Sequence, residues 1–211
     1  MKKKHPIEAL IEQGEHQQQD FKFEVSDSKK IARSLSAFAN TDGGRLLIGV
    51  KDNGAIAGVR SEEEYYMIEA ASKMYTRPEV PFSAKRWEVN GKTVLEIYIA
   101  PSEERPHTAP DKDDKFKAYI RVADENMLAN EVIMQAWNKE KANEGTLLKI
   151  SKPVEILFAW LDDHAHISIR QFCRIAHINY YTARNIMSDL MAMKMMEYVI
   201  VDKHIAYKRI F

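Results

Sequence analysis

Residues 37–54 constrain the fold of this chain most, because they combine the end of a helix, a tight turn, a buried strand and a second turn. Apolar residues at helical spacing lead up to Phe38, so the segment before the turn is predicted to be a helix with one apolar stripe. Residues 40–44 supply the side chains and glycines that end helices. Residues 46–50 are a short apolar run typical of a buried strand. Asp52 follows that strand, in a position that suits either chemistry or a turn.

The composition excludes several classes of protein. A chain of 211 residues with 45% hydrophobic side chains can form one large domain or two small ones. The 31 basic and 31 acidic residues balance, so any nucleic-acid site must be a local patch rather than the field of the whole protein. The single cysteine, Cys173, excludes an internal disulfide framework. With neither a signal peptide nor a spanning apolar segment, the sequence predicts a cytoplasmic protein without a membrane partner.

Helices and strands alternate irregularly over the first 142 residues. Helical spacing predicts helices near residues 7–13, 28–40, 61–77 and 124–141, and alternating or apolar runs predict strands near 17–25, 46–50, 82–89, 92–100 and 116–122. Asn90-Gly91 is a strong hairpin signal between two of these strands. The pattern predicts an α+β domain over residues 1–142, with helices packed on a mixed, mostly antiparallel sheet.

The rest of the chain has a different pattern of predicted helices and strands. After a linker at residues 143–150, three helices are predicted to begin near Pro153, Ser168 and Asn179, and a hairpin follows over residues 197–210. Three helices followed by a hairpin predict a small winged helix-turn-helix domain over residues 151–211. In such a domain the third helix enters the major groove of DNA and the hairpin lies along the backbone.

Nine residues of this domain are candidates for contact with nucleic acid. They are Tyr180, Tyr181, Thr182, Arg184, Asn185 and Ser188 of the third helix, with Lys203, Lys208 and Arg209 of the hairpin. Basic residues only slightly outnumber acids in this segment. A protein-docking or dimerisation module with the same fold therefore remains an alternative, and the sequence leaves a homo-oligomer open.

Several short motifs carry a family resemblance. They are Asp20-Phe21-Lys22, the run Ser-Ala-Phe-Ala-Asn-Thr-Asp-Gly-Gly-Arg-Leu-Leu-Ile-Gly at residues 36–49, Asp52, Arg105-Pro106-His107, and Ala118-Tyr119-Ile120-Arg121. Over roughly residues 12–135 the chain resembles the Schlafen AlbA-like domain. Bacterial members of that family join this domain to a C-terminal winged helix and are described as DNA-binding transcriptional regulators. The resemblance implies the same function here, with DNA rather than RNA as partner and no cofactor required for binding.

The resemblance also implies an alternative that is an enzyme. In Schlafen proteins that cut RNA, three acids hold a divalent metal, and the matching positions here are Glu15, Asp20 and Asp52, with Lys22 as a neighbouring helper. Converging carboxylates would hold Mg²⁺ or Mn²⁺, which could activate water. Asp20 is one methylene shorter than the glutamate of the family. An older description of the family as an ATPase finds no support, because the chain has no phosphate-binding Gly-x-x-x-x-Gly-Lys-[Ser/Thr] loop.

Overall fold

The computed structural model describes residues 5–142 and 151–210. The chain divides into two compact units, Met1–Leu128 and Ala129–Phe211. The predicted linker, residues 143–150, lies outside the described residues. Within the described parts of the chain, no helix is both long enough and apolar enough to cross a membrane.

Among its described residues, from position 5 onward, the first unit contains three helices and seven strands. They are α1 (Pro6–Ile11), β1 (Gln19–Lys22), α2 (Ser28–Asn40), β2 (Gly44–Ile48), α3 (Glu63–Tyr75), β3 (Ser83–Val89), β4 (Lys92–Ile99), β5 (Thr108–Pro110), β6 (Phe116–Val122) and β7 (Glu125–Leu128). One sheet has the strand order β1-β2-β4-β3, in which only β1 and β2 are parallel. The other sheet, β5-β6-β7, is antiparallel. The predicted α+β fold with mostly antiparallel pairing is confirmed.

Strand β2 is apolar from Leu46 to Ile48 because both faces of its sheet are covered there. Leu46 and Ile48 belong to the core that includes α2, whereas Leu47 packs in a second core with Ile7 of α1. All three β2 side chains are completely buried. The continuous apolar run in the sequence therefore reports a strand between two helical layers.

The turn between α2 and β2 requires its two glycines. A Cβ atom added at Gly43, where φ is 68°, would lie 2.7 Å from the carbonyl oxygen of Ile99. A Cβ atom at Gly44 would lie 2.5 Å from the ring of Phe38. Both distances are shorter than van der Waals contact, so larger residues would push the turn away from the sheet.

The second unit contains four helices and one hairpin among its described residues. They are α4 (Glu131–Ala142), α5 (Lys152–Asp163), α6 (Ile169–Ala176), α7 (Tyr180–Ala192), β8 (Met196–Val201) and β9 (His204–Arg209). The predicted caps are present, since Ser168 Oγ accepts from Gln171 N–H and Asn179 Oδ1 accepts from Thr182 N–H. Ile167 and Tyr207 exchange two backbone hydrogen bonds of 2.8 and 2.9 Å, which adds a short strand segment to β9.

The helix predicted over residues 124–141 differs from the structure. Its first part is β7, which pairs with β6 after a tight turn at Ala123, where φ is 52°. The helix α4 begins only at Glu131, and it packs against α7 in the second unit instead of closing the first. Hairpin pairing with β6 outweighs the weak helical preference of residues 125–128.

Candidate nucleic-acid interface

Of the three acids implied by the family resemblance, the structure brings two together. The carboxylate of Glu15 accepts a hydrogen bond of 2.9 Å from the backbone N–H of Phe21. Burial, reinforced by the neighbouring Asp20 carboxylate, raises the pKa of Glu15 above its usual range. Asp52 is exposed in the turn that follows β2. Within residues 5–142 and 151–210, no three His, Cys, Asp or Glu side chains form a group that could hold a metal ion.

The partners of Asp20 are cationic side chains. Its Oδ2 lies 2.6 Å from Lys22 Nζ, and its Oδ1 lies 3.4 Å from Arg121 Nη2. Asp20 and Arg121 are only 4% and 1% exposed. Lys22 and Arg121 thus already neutralise the carboxylate that a metal would have to use, and Asp52 does not join it. The residues present do not fit a divalent-metal centre.

Arg121 is the hub of a buried polar network. Its guanidinium donates to Asn126 Oδ1 at 3.1 Å and to the carbonyl oxygen of Gln19 at 3.2 Å, and it lies 5.1 Å from the centroid of the Phe38 ring. Asn126 in turn donates to Ser34 Oγ at 2.9 Å. A buried cation needs such partners, because an unpaired one would lose its hydration without compensation. Arg121 therefore links β1, β6, β7 and α2.

Asn40 joins α2 to β6 and to the segment before β5. Its Nδ2 donates to the carbonyl oxygens of His107 and Tyr119, both at 2.8 Å, and its Oδ1 accepts from His107 N–H at 2.7 Å. Ser36 Oγ also donates to the carbonyl oxygen of His107 at 2.8 Å. The imidazole of His107 contacts Pro78 O and Ser102 Oγ. These motif residues hold the first unit together, and none of them is exposed.

The raised pKa of Glu15 predicts a pH-dependent stability difference. A raised folded-state pKa means that Glu15 stabilises the fold most when neutral, and this contribution is lost as pH rises through that pKa. Glu15→Gln keeps an oxygen acceptor for Phe21 N–H without the charge. We expect the variant to have a higher Tm than the parent at about pH 7, by at most about 3 °C for a half-buried group. The difference should vanish near about pH 4.

Thermal unfolding followed by circular dichroism across this pH range checks the prediction. Glu103→Gln removes an exposed carboxylate of the first unit and is the matched control, with no expected change in Tm. A Glu15→Gln variant less stable than the parent at neutral pH would contradict it.

The first turn of α7 is accessible. Tyr180 is 46% exposed and Tyr181 is 64% exposed, and Thr182 beside them is half-buried. The guanidinium of Arg184 lies 5.1 Å from the centroid of the Tyr181 ring. The beginning of the helix thus presents two aromatic side chains to solvent.

Three of the predicted contact residues of α7 instead face α4. Polar side chains of the two helices meet in what we call the α4–α7 ladder: Glu131 with Arg184 (2.9 Å), Gln135 with Asn185 (2.8 Å), and Lys139 with Ser188 (2.8 Å) and Asp189 (2.6 Å). Ser188 is completely buried. In this structure α4 covers that side of the helix, so contact of Arg184, Asn185 and Ser188 with nucleic acid stays a prediction that requires α4 to move.

The hairpin carries the predicted basic residues in exposed or half-buried positions. Lys203 lies in the exposed turn between β8 and β9. Lys208 pairs with Glu197 at 2.8 Å, and Arg209 pairs with Asp162 at 3.0 Å. Surface pairs of this kind contribute at most about 1 kcal/mol, so a phosphate group can replace the carboxylate partner at small cost.

Comparison with known proteins gives a family match. The family model described as Schlafen, AlbA_2 matches residues 15–130, which is more than half of the chain. No match was found among curated proteins.

Solved structures give weaker similarities. The crystal structure of the DIP2311 protein from Corynebacterium diphtheriae is 22% identical with a TM-score of 0.46, and the similarity covers 69% of this chain and 32% of that one. The present chain thus spans about a third of the DIP2311 chain. The N-terminal domain of a DNA helicase RecG-related protein from Nitrosomonas europaea is 21% identical with a TM-score of 0.36, over 56% of this chain and 82% of that one. Neither similarity is close enough to carry a functional argument.

Proposed function

Because the chain belongs to the Schlafen, AlbA_2 family, we propose that it is a nucleic-acid-binding protein that acts as a DNA-binding transcriptional regulator. Membership of this family indicates a nucleic-acid-related function. The finer statement, binding of duplex DNA in regulation, rests on the second unit. A metal-dependent nuclease is not favoured, since Lys22 and Arg121 already neutralise Asp20 and Asp52 stands apart.

The element order of the second unit is the observation that carries the proposal. Helices α5, α6 and α7 are followed directly by the β8–β9 hairpin, and Ile167 pairs with Tyr207 in β9. This is the order of a winged helix-turn-helix, whose third helix enters the major groove. On this assignment α7 is the recognition helix and the β8–β9 hairpin is the wing.

The accessible residues favour two points of contact. Tyr180, Tyr181 and Thr182 surround the first turn of α7, where backbone N–H groups and the helix dipole attract phosphate. Lys203, Lys208 and Arg209 lie on the hairpin, which would follow the DNA backbone. The α4–α7 ladder keeps Arg184, Asn185 and Ser188 from the bases for as long as α4 stays in place.

Binding of duplex DNA as a function of salt tests the proposal. We expect the affinity to fall as salt is added, and the double variant Lys203→Gln/Lys208→Gln to reduce the slope of log K against log salt by about 2, or about one per lost phosphate contact. Fluorescence anisotropy with a labelled duplex measures both quantities.

The matched control removes two exposed lysines from the first unit. Lys112→Gln/Lys117→Gln has the same change in net charge but should leave the slope unchanged. If the chain fails to bind duplex DNA even at low salt, or if both double variants behave alike, the second unit is not a DNA reader. Sedimentation of the same samples would then test the remaining alternative, a dimerisation module.

A further inference from the structure

One aromatic side chain of the first unit stands outside both of its cores. Phe23 follows β1 directly and is 40% exposed, whereas Phe21 and Phe38 are almost completely buried. Two cations from other loops lie near its ring. Lys51 Nζ is 5.5 Å from the ring centroid, and the guanidinium carbon of Arg60 is 5.6 Å from it. Loops after β1, after β2 and before α3 thus converge on one exposed ring.

The charges around this ring leave cationic groups available. The ammonium group of Lys51 is exposed and contacts the Phe23 ring. Arg60 makes one contact of 3.4 Å with Glu24, and the two side chains are 73% and 43% exposed. Exposed pairs of this kind are weak and exchange readily. Asp52, the next residue after Lys51 in the chain, is an exposed acid.

Arg60 also lines a cavity of about 250 Å³. Ser61, Thr93 and the ion pair of Glu62 with Arg86 form other parts of its wall. Hydrogen bonds from Arg86 lower the pKa of Glu62, so Glu62 stays ionised and paired with Arg86. Arg60 therefore lies near the Phe23 ring and also forms part of the wall of this cavity.

An exposed aromatic ring flanked by cations matches the chemistry of an unpaired nucleotide. Lys51 and Arg60 lie over the ring through exposed side chains, so they can turn outward to the phosphates on either side and leave the ring face as a stacking surface for any base. Bases inside a duplex are already stacked on each other and cannot use such a surface. We propose that Phe23, Lys51 and Arg60 form a platform on which a base of single-stranded nucleic acid stacks.

This inference rests on the proposed function and deepens it, because it gives the first unit its own contact with nucleic acid. The second unit would bind duplex DNA, and the platform would hold a strand that has left the duplex or an unpaired end. The two sites have different ligands, so each can fail alone.

The test measures binding of a fluorescein-labelled oligothymidine of about 12 nucleotides, a length within the usual range for single-strand sites. Phe23→Leu keeps an apolar side chain but removes the stacking face, and we expect the affinity for the oligothymidine to fall about tenfold. Phe23→Trp restores an aromatic face and should bind at least as well as the parent. Tyr98→Leu, which removes another exposed aromatic residue of the first unit, is the control and should change nothing.

A second measurement locates the contact. An oligonucleotide carrying 5-iodouracil should crosslink to Phe23 under ultraviolet light, and mass spectrometry of the digested protein identifies the crosslinked peptide. The signal should disappear in Phe23→Leu. Duplex binding, measured in parallel, should be the same in all variants.

Four outcomes would overturn the platform. The parent does not bind the oligothymidine, or Phe23→Leu binds it as the parent does, or Phe23→Leu loses duplex binding and thermal stability along with it. In the first two cases the duplex measurement still decides the proposed function separately. Equal loss for Phe23→Leu and Tyr98→Leu would also overturn it, because it would show a general effect of surface aromatic residues.

Discussion

Weakening the α4–α7 ladder is expected to raise the affinity of the chain for duplex DNA about tenfold. The variant is Glu131→Gln/Gln135→Ala, which removes the charge that pairs with Arg184 and the side-chain amide that pairs with Asn185. If α7 is the recognition helix, these two side chains must leave α4 before they can reach base edges. Each polar contact of this kind contributes about 1 kcal/mol, so weakening the first and losing the second favours the open arrangement by roughly the stated tenfold.

Anisotropy titrations with a labelled duplex at fixed salt measure this effect. The control is Asp163→Asn, which removes one negative charge at the end of α5 without touching the ladder, and it should change the affinity less than about twofold. Thermal unfolding must show that the double variant stays folded. An unchanged or lower affinity in a folded double variant would mean that α4 and DNA do not compete for α7.

The second large effect is expected in the first unit, where Asn40→Ala should lower the free energy of unfolding by about 3 kcal/mol. Asn40 is 1% exposed, and its amide satisfies the N–H of His107 and the carbonyl oxygens of His107 and Tyr119. Alanine leaves these backbone groups buried without that partner. Urea denaturation monitored by circular dichroism gives the change.

Two further variants sharpen this measurement. Asn138→Ala removes an exposed asparagine of α4 and should stay within about 0.5 kcal/mol of the parent. Asn40→Asp keeps the shape but buries a carboxyl group, whose pKa burial would raise. Its stability should therefore be highest at low pH and fall as pH rises through that pKa. A loss below about 1 kcal/mol in Asn40→Ala would show that water replaces the amide.

Local signals in the sequence account for most of the elements. Asp27, Ser168 and Asn179 cap the helices that follow them, and Asn90-Gly91 forms the turn between β3 and β4. Caps and tight turns depend on a few adjacent residues, so they are visible in the sequence. The break between β7 and α4 was missed because it depends on pairing with β6.

The candidate sites depended on contacts between distant residues. Arg121 alternates with the apolar residues of β6 in the sequence, yet its side chain is buried against Asp20 and Gln19, about a hundred positions earlier. The α4–α7 ladder was missed for the same reason. One signal was present, since Glu131, Gln135 and Lys139 recur every four residues and so form a polar stripe along α4. The spacing alone does not show that this stripe packs against α7.

The buried hydrogen bonds of Asn40 also affect how the sequences of related proteins should be interpreted. The segment by which the family is most easily recognised connects a helix to the backbone near two strands through buried hydrogen bonds. Its polar atoms therefore point into the protein. The same sequence motif in another protein therefore indicates how that protein folds. Whether a related protein cleaves, recognises or only binds nucleic acid depends on other side chains, which this buried network leaves free to vary.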